Sequence, residues 1–368
     1  MTIGARVPSR TVLKFAIRLM RRRQAPSRGA LTVREAPTSR DAEGIKMAFT
    51  VQAESFRFAP ELHTGMAGKR VLITGAGKDR GLGQAFALAA GLNGAAKVGV
   101  HFHSSYVDAF DLVAALRKEG VDAFPVHADV NNLGDLWAMR SYVIEQMGGL
   151  PPNLLICNSG LTENGYAFGR ALRAIPDEPP AVRRARVRQH FIDSLNQSRM
   201  VLDTKIDGFL AMTHLWAGEA VYHEEPLHLI YVSSRMAIDP GSTVPGYVIS
   251  NWAVLQLPKV LAINLGRSAK FVTATCILPP FIHTGMTDEF AENAAVWGRW
   301  QSRMLETDET AEAFMRLLAR PQAELDQGSF ELIVDGDAKN ARLSWKKVHL
   351  DLREEPLEWS KGSSASQD

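Results

Sequence analysis

Residues 70–83 read RVLITGAGKDRGLG and are followed by the apolar stretch QAFALAAGL. Val71, Leu72 and Ile73 predict a short buried strand, and the glycines after them predict a tight turn into a helix. Glycines allow the backbone to bend sharply and approach a pyrophosphate, which the free N–H groups of a helix N-terminus bind. A second strand pattern, AKVGVHF at residues 96–102, follows at the distance that a βαβ unit requires. The stretch therefore predicts a dinucleotide-binding site.

The alternation of strand and helix patterns continues along the chain. Further apolar strand patterns lie at residues 121–130, 153–160, 228–234, 271–279 and 330–336. This order predicts an α/β fold, a single Rossmann-like, doubly wound parallel sheet with helices on both faces, closed by residues 330–336. Ligands of such sheets bind beyond the carboxyl ends of the strands, where Asp129, Asn158, Ser233 and Ser234 fall.

The charges around the second strand favour one cofactor. A free ribose 2′-hydroxyl is usually held by a carboxylate at this strand end, but residues 101–105 read HFHSS, and the first acid is Asp108. Lys78 and Arg80 lie in the glycine turn, and a guanidinium there could pair bidentately with a 2′-phosphate. We therefore predict NADP(H) as the cofactor, with two solvated turn cations as the alternative.

Composition excludes several classes of protein. The 368 residues are 46% hydrophobic and carry a net charge of +2, which describes a globular chain and gives no sign of nucleic-acid binding. Only Cys157 and Cys276 occur, so neither a disulfide framework nor a cysteine metal cage is predicted. The histidines at positions 101, 103, 223 and 228 lack metal-ligand spacing, and we expect no metal.

Both ends of the chain predict extensions of the fold. The first acid, Glu35, follows nine Lys and Arg residues, and the short apolar run between them is too charged to span a bilayer. We predict a largely disordered basic extension over residues 1–66, a Rossmann domain over residues 67–337 and a tail over residues 338–368. We expect a cytoplasmic protein. The alternatives are an organelle matrix, reached through a presequence, and a membrane surface bound by the basic segment.

Several ordered motifs resemble those of the short-chain dehydrogenases/reductases, and most nearly the 3-oxoacyl-carrier-protein reductases. TGAGKDRGLG resembles the family's cofactor turn but has two extra residues, as in enoyl-carrier-protein reductases. HADV, ending at Val130, resembles the adenine-contacting pair, and CNSG, ending at Gly160, resembles the family's NNAG. Ser234 precedes Tyr247 by the family's interval, and LPPFIHTGM resembles its PGxxxT segment.

The resemblance implies a set of site residues. The cofactor-binding residues that it implies are Gly75, Lys78, Arg80, Gly81, Leu82, Gly83, Asp129, Val130, Asn158, Gly160, Pro279 and Thr284. It also implies that Ser234 positions a substrate carbonyl and that Tyr247 exchanges a proton with it. The family's catalytic lysine, four residues after the tyrosine, is Asn251 here. A phenol with a pKa near 10 relays protons poorly at neutral pH unless a cation stabilises its phenolate.

Lys205 is our candidate for the missing cation. Aligning Lys205–Gly208 with the family's NxxG helix motif puts Lys205 where members carry the asparagine of their catalytic tetrad. The two residue types would then be exchanged, with Asn251 bonded to the ribose. Thr204 and Asp207 are rival alignments, and a lysine on a helix surface is the plain alternative.

Three functions follow from these patterns. The first is an NADPH-dependent reductase that transfers hydride to the carbonyl of a β-ketoacyl thioester or a polyketide-like ketone. The second is an NADP(H)-binding pseudoenzyme or non-catalytic partner subunit, and the third is an enoyl-reductase-like activity. The predicted partners are a small-molecule or acyl-thioester substrate and a second copy in a homodimer or homotetramer, but no nucleic acid. The arginine-rich residues 170–188 could bind an acyl carrier protein or a coenzyme A phosphate, with a solvated basic helix as the plain alternative.

Overall fold

A computed structural model of the chain describes residues 53–163, 172–173, 175–241, 244–337 and 339–350. The basic segment up to residue 52 lies outside the described residues, as do Arg170 and residues 351–368 of the predicted tail.

Eight strands of the described chain form a single sheet in the order β3-β2-β1-β4-β5-β6-β7-β8. Neighbouring strands are parallel except for the last pair, β7 and β8. The strands are β1 (Arg70–Ile73), β2 (Lys97–Phe102), β3 (Ala123–His127), β4 (Leu154–Cys157), β5 (Leu227–Val232), β6 (Val272–Leu278), β7 (Gly328–Asp335) and β8 (Arg342–Val348). The predicted Rossmann-like α/β fold is confirmed.

Helices connect the parallel strands. They are α1 (Leu82–Leu92), α2 (Tyr106–Lys118), α3 (Leu133–Gln146), α4 (Pro180–Leu202), α5 (Gly208–His223), α6 (Pro245–Val254), α7 (Leu257–Leu265), α8 (Ala294–Trp297), α9 (Thr307–Leu318) and α10 (Gln322–Leu325). One π-helical turn, Asp203–Asp207, joins α4 to α5. Parallel neighbouring strands require crossover connections, which the helices provide, and α1 contacts α2 and α9 beside the sheet.

The central strands are buried on both faces, which explains their continuous apolar sequences. Every residue of β4 and of β5 is buried. The core on one face joins Met139 of α3 and Trp216 of α5 to strand residues such as Leu155 and Leu229. This packing fixes the strand ends from which the site is built.

The sheet extends beyond the strand that we expected to close it. The prediction that residues 330–336 close the sheet is wrong, because β8 pairs antiparallel with the outer edge of β7. Leu343 and Trp345 of β8 pack beside Leu332, and the indole Nε1 of Trp345 donates to Ala313 O at 2.7 Å. Residues assigned to a tail thus protect an otherwise open sheet edge.

The folded part of the chain also begins before residue 67. The 3₁₀ turns Ala53–Phe56 and Pro60–Gly65 contact α1 and α9. The side chain of Asn93, 1% exposed, donates to Phe56 O at 2.8 Å. This segment therefore packs against the domain.

The helix after Tyr247 is interrupted where Pro258 predicts a break. Helix α6 ends at Val254 and α7 starts at Leu257, with Pro258 in its first turn. The helical stretch Pro245–Phe271 is the one in the described chain that is long and apolar enough to cross a membrane. Its first half carries Tyr247 and its second half contacts β6, so it is part of the α/β domain.

Candidate active site

The glycine turn between β1 and α1 is built for a close approach. Gly75 has φ +64°, a left-handed conformation that favours glycine, and a Cβ there would lie 2.9 Å from Ser159 Cα. A Cβ on Gly83 would lie 2.5 Å from Gly75 O, and one on Gly77 would lie 2.5 Å from Phe102 Cβ. The turn therefore admits no side chains at these positions and leaves room for a ligand beside its backbone.

Polar side chains at the end of β4 hold this turn in place. The Asn158 side chain donates to Thr74 O and Gly75 O, both at 3.2 Å. Thr74 Oγ1 in turn accepts from Asn158 N at 2.9 Å and from Ser159 N at 3.1 Å. These bonds tie the ends of β1 and β4 together, so the two chain segments form one rigid wall.

The end of β2 offers imidazole and hydroxyl groups but no carboxylate. His101 is 2% exposed, and its Nδ1 accepts from Gly75 N at 3.2 Å. Burial lowers the pKa of His101 to about 4, so its imidazole is neutral at physiological pH. The next acid in the sequence, Asp108, accepts from Asp79 N at 3.2 Å and so faces the turn backbone.

The hydroxyls of Ser234 and Tyr247 meet. Ser234 follows β5 and is 7% exposed, while Tyr247 lies in the first turn of α6 and is partly buried. Burial raises the pKa of Tyr247, and the hydrogen bond from Ser234 opposes that rise. The phenol therefore stays protonated at neutral pH and can donate a proton.

A cavity of about 1200 Å³ joins the glycine turn to this hydroxyl pair. Of the predicted site residues, those that line it are Gly75, Lys78, Gly81, Leu82, Asp129, Val130, Asn158, Gly160, Lys205, Ser234, Tyr247, Pro279 and Thr284. Apolar side chains line it as well, namely Met200, Met236, Phe281, Met286, Phe290 and Trp300. One cavity thus combines a dinucleotide turn, a proton donor and an apolar surface.

Sequence comparisons agree with this geometry. The short chain dehydrogenase family matches residues 69–295. This chain belongs to that family.

A versicolorin reductase of Emericella nidulans is 28% identical over 245 residues, covering 62% of this chain and 81% of the relative. A 3-oxoacyl-carrier-protein reductase of Staphylococcus aureus is 25% identical and covers 61% of this chain and 78% of the relative. A tetrahydroxynaphthalene reductase of Pyricularia oryzae is 30% identical, covering 47% of this chain and 56% of the relative.

Solved structures share the fold. A short-chain type dehydrogenase/reductase from Mycobacterium marinum superposes with a TM-score of 0.59 at 21% identity, over 74% of this chain and 96% of that one. A gluconate 5-dehydrogenase from Burkholderia cenocepacia, in complex with NADP and tartrate, gives 0.57 at 18% identity, over 76% and 96%. This short-chain dehydrogenase is an oxidoreductase, and its family binds nicotinamide dinucleotides.

The residues present fit a nicotinamide dinucleotide. The glycine turn provides the cradle that a Cβ would fill, and α1 begins beside it at Leu82 with Gly81 as its N-cap. The first N–H groups of that helix have no partners within the helix and favour an anion. Asp129 and Val130 line the cavity farther along the sheet edge. The turn would hold the pyrophosphate, and the β2 and β3 ends would hold the adenosine half.

Lys205 is buried in the wall of this cavity. It is 5% exposed, its Nζ donates to Val232 O at 2.6 Å, and the ammonium lies 4.7 Å from the centre of the Phe209 ring. Burial lowers the pKa of Lys205 to about 8. No carboxylate of the described residues forms an ion pair with it. A cation therefore lies among the site residues of a short-chain dehydrogenase that lacks the usual lysine.

Asn251 lies where the family's lysine is usual, but it does not line the cavity. It is 1% exposed, and its Nδ2 donates to Tyr247 O at 2.8 Å within α6. Its Oδ1 is buried and has no hydrogen-bond partner. The amide NH₂ is thus used by the helix, and the ribose contact that we expected stays a prediction.

Two predicted cofactor residues, Gly83 and Arg80, do not line the cavity. Gly83 packs behind the turn, where a Cβ would lie 2.6 Å from the Asn158 amide nitrogen. The Arg80 guanidinium pairs with Asp288 at 2.5 Å and is largely exposed. Asp288 also lies 3.3 Å from His283 Nε2. Of the two turn cations, Lys78 is therefore the one that lines the cavity.

Sequence reasoning missed Glu163 and Thr74. Glu163 is 6% exposed, lines the cavity and accepts hydrogen bonds from the first turn of α6. A single carboxylate in a loop has no sequence signal. Thr74 had one, because it directly follows a buried strand and precedes the glycine turn.

Proposed function

We propose that this short-chain dehydrogenase is an NADPH-dependent ketoreductase. The observation that carries the proposal is that Ser234 and Tyr247 line the same cavity as the glycine turn, with the Ser234 hydroxyl close enough to the phenol to lower the pKa of Tyr247. When bound, the cofactor supplies a hydride for a carbonyl carbon. Tyr247 Oη donates its proton to the carbonyl oxygen, and Ser234 Oγ positions that oxygen and stabilises the phenolate left behind.

We propose that Lys205, which is buried in the wall of the same cavity, is the cation that replaces the family's lysine. A lysine with a pKa of about 8 gains and loses protons near neutral pH, which suits a group that restores the proton of Tyr247. Its amine also lies 3.5 Å from the place that a Cβ on Gly160 would occupy, so it faces the segment expected to contact the cofactor. The exchange of Asn251 and Lys205 then keeps one cation in the site.

The preference for NADPH is supported by the charges at the end of β2. His103, Ser104 and Ser105 line the cavity there, and Lys78 lines it from the glycine turn. Hydroxyl donors and an ammonium favour a 2′-phosphate, whereas a 2′-hydroxyl is usually bound by a carboxylate. Arg80 is paired with Asp288, so Lys78 takes the role that the sequence divided between the two cations.

The apolar part of the cavity favours a planar aromatic ketone of polyketide type. Phe281 and Trp300 are stacked with ring centroids 5.7 Å apart and an interplanar angle of 16°. Three methionine side chains on the cavity wall adapt to a flat apolar ligand. Two of the relatives are named as reductases of versicolorin and of tetrahydroxynaphthalene, and both names support an aromatic substrate over an open-chain thioester.

NADPH oxidation with two substrate panels tests this proposal. Cyclic aryl ketones such as tetralones form the first panel, and acetoacetyl thioesters of coenzyme A and of an acyl carrier protein form the second. We expect turnover with the aryl ketones and a fall of about 100-fold or more, to a small residual rate, in Tyr247→Phe, with NADPH still bound. Binding of NADPH without turnover in both panels favours the pseudoenzyme, for which Asn251 in the lysine position is the supporting observation.

A second copy of the chain is the partner that we propose. Ile249 and Trp252 of α6 and Val260 and Ile263 of α7 are exposed by 47% to 79%, so the helix pair presents an apolar surface. Sedimentation of the wild-type chain and of Trp252→Glu tests this. We expect a dimer or tetramer that the substitution dissociates, and a monomeric wild-type chain contradicts the proposal.

A further inference from the structure

Helix α6, which carries Tyr247, begins without a cap of its own. Its N-cap residue Val244 provides no side-chain hydrogen bond, and Pro245 has no N–H. The next two N–H groups, those of Gly246 and Tyr247, cannot find partners within the helix. An acceptor from elsewhere in the chain is therefore needed where the helix is buried.

Glu163 is that acceptor, and it uses both carboxylate oxygens. Oε1 accepts from Gly246 N at 2.5 Å and Oε2 accepts from Tyr247 N at 3.1 Å. The Ser198 hydroxyl of α4 donates to Oε1 at 3.0 Å. The negative charge faces the positive end of the helix dipole, which offsets the cost of burying it.

The carboxylate packs closely against the start of α6. A Cβ on Gly246 would lie 2.6 Å from Glu163 Oε1 and 3.0 Å from Ser198 O, so the carboxylate lies directly against the helix backbone. Ser250 Oγ and Asn251 Nδ2 both donate back to Tyr247 O. The backbone of Tyr247 is thus held through its N–H by Glu163 and through its carbonyl by its own helix.

The same short segment also holds the glycine turn. Asn158, five residues before Glu163, bonds to Thr74 O and Gly75 O. One end of the segment 158–163 is therefore fixed to the turn expected to hold the cofactor, and the other end is fixed to the backbone of the proton donor. Both ends line the same cavity.

We propose that Glu163 is a positioning residue that sets the Tyr247 phenol relative to Ser234 and to the glycine turn. This rests on the proposed ketoreductase function, in which the phenol donates a proton. Glu163 acts through the backbone of Tyr247 and does not itself touch the reacting atoms. Small displacements of a catalytic group cost a large factor in rate, so the carboxylate controls kcat more than substrate binding.

The first test is a kinetic comparison of Glu163→Gln with wild type and with the control Ser198→Ala. Glutamine keeps the shape but presents an NH₂ group to one of the two N–H donors. We expect kcat to fall about 10- to 100-fold while KM and the Kd for NADPH change less than about threefold. Ser198→Ala, which leaves both helix contacts in place, should keep most of the wild-type kcat.

A double-mutant cycle then asks whether Glu163 acts through Tyr247. In a Tyr247→Phe background, Glu163→Gln should cause no further loss of the residual rate. An additive further loss means that Glu163 acts by another route and overturns the proposal.

The second test does not depend on turnover. The chain has six tyrosines, so ring-labelled tyrosine gives few NMR signals, and the Tyr247 signal is identified by its loss in Tyr247→Phe. We expect Glu163→Gln to shift or broaden this signal and to leave the others in place. If Glu163→Gln does not fold, Glu163→Asp, which keeps both acceptors on a shorter arm, is measured in the same way.

The kinetic and NMR tests distinguish a failure of the proposed ketoreductase function from a failure of the positioning role of Glu163. A wild-type chain without turnover in either substrate panel refutes the ketoreductase function, and the NMR comparison still decides the placement of Tyr247. A Glu163→Gln chain with an unchanged Tyr247 signal and an unchanged kcat refutes the positioning role and leaves the proposed function intact.

Discussion

Replacing Lys205 by methionine is expected to make the protein more stable and less active. The pKa of Lys205 falls from 10.5 to about 8 because the ammonium is buried. At about 1.4 kcal/mol per pH unit, burying this charge costs about 3 kcal/mol. The substitution also removes the hydrogen bond to Val232 O, which contributes about 1 kcal/mol. The free energy of unfolding should therefore rise by about 2 kcal/mol at pH 7.

The rise in the free energy of unfolding caused by Lys205→Met should become smaller at high pH. Because the pKa of Lys205 is lower in the folded state, the unfolded chain binds this proton more tightly. The full difference between Lys205→Met and wild type should be present below pH 8, where both states carry the charge. It should decrease as the pH rises from about 8 towards 10.5. Above that range only the lost hydrogen bond to Val232 O remains, so Lys205→Met should be about 1 kcal/mol less stable than wild type there.

Urea unfolding at several pH values measures the stability of Lys205→Met, and NADPH oxidation measures its activity. Lys118→Met is the matched control, because Lys118 is exposed at the end of α2 and should change neither quantity. A Lys205→Met chain that is less stable than wild type at pH 7 would show that the lysine is needed for folding. Retained turnover would remove Lys205 from the mechanism.

Three further predictions follow from the glycines, the turn cations and the last strand. Gly83→Ala should abolish NADPH binding in a fluorescence titration, because its Cβ would lie 2.5 Å from Gly75 O. Gly218→Ala is the control, since Gly218 lies on the open surface of α5. It should stabilise the protein by about 0.5–1 kcal/mol in urea unfolding. Lys78→Met should weaken NADPH binding at least tenfold more than NADH binding, and Arg80→Met should weaken the binding of the two cofactors alike. Calorimetry measures both affinities. If Lys78→Met weakens NADPH and NADH binding equally, Lys78 does not bind the 2′-phosphate. Removing residues 338–368 should lower the Tm and promote association of chains through the bared edge of β7, as light scattering can show. An unchanged Tm and unchanged light scattering would show that β8 is dispensable.

The sequence was most informative where backbone and apolar pattern decide the structure. Buried parallel strands require continuous apolar runs, so β1, β4 and β5 were recognisable. The turn after β1 requires glycine at Gly75, where φ is +64°. The meeting of Ser234 and Tyr247 was predictable from the family interval between them.

Contacts that depend on single side chains could not be predicted. The role of Glu163 requires knowing that the loop after β4 passes the start of α6. The pairing of Arg80 with Asp288 joins residues 208 positions apart. Strand β8 was missed because its inward residues Leu343, Trp345 and Val348 are only partly buried and its charged residues face solvent, as is usual for an edge strand.

The π-helical turn Asp203–Asp207, which contains Lys205, sets the rotation of α5 relative to α4. Such a turn holds one residue more than a regular α-helical turn, so the chain after it is rotated by about 100° relative to an uninterrupted helix. Met200 of α4 lines the cavity, and Trp216 of α5 packs in the core. The simultaneous placement of these two side chains thus depends on a single surplus residue in a helix, which one codon adds or removes.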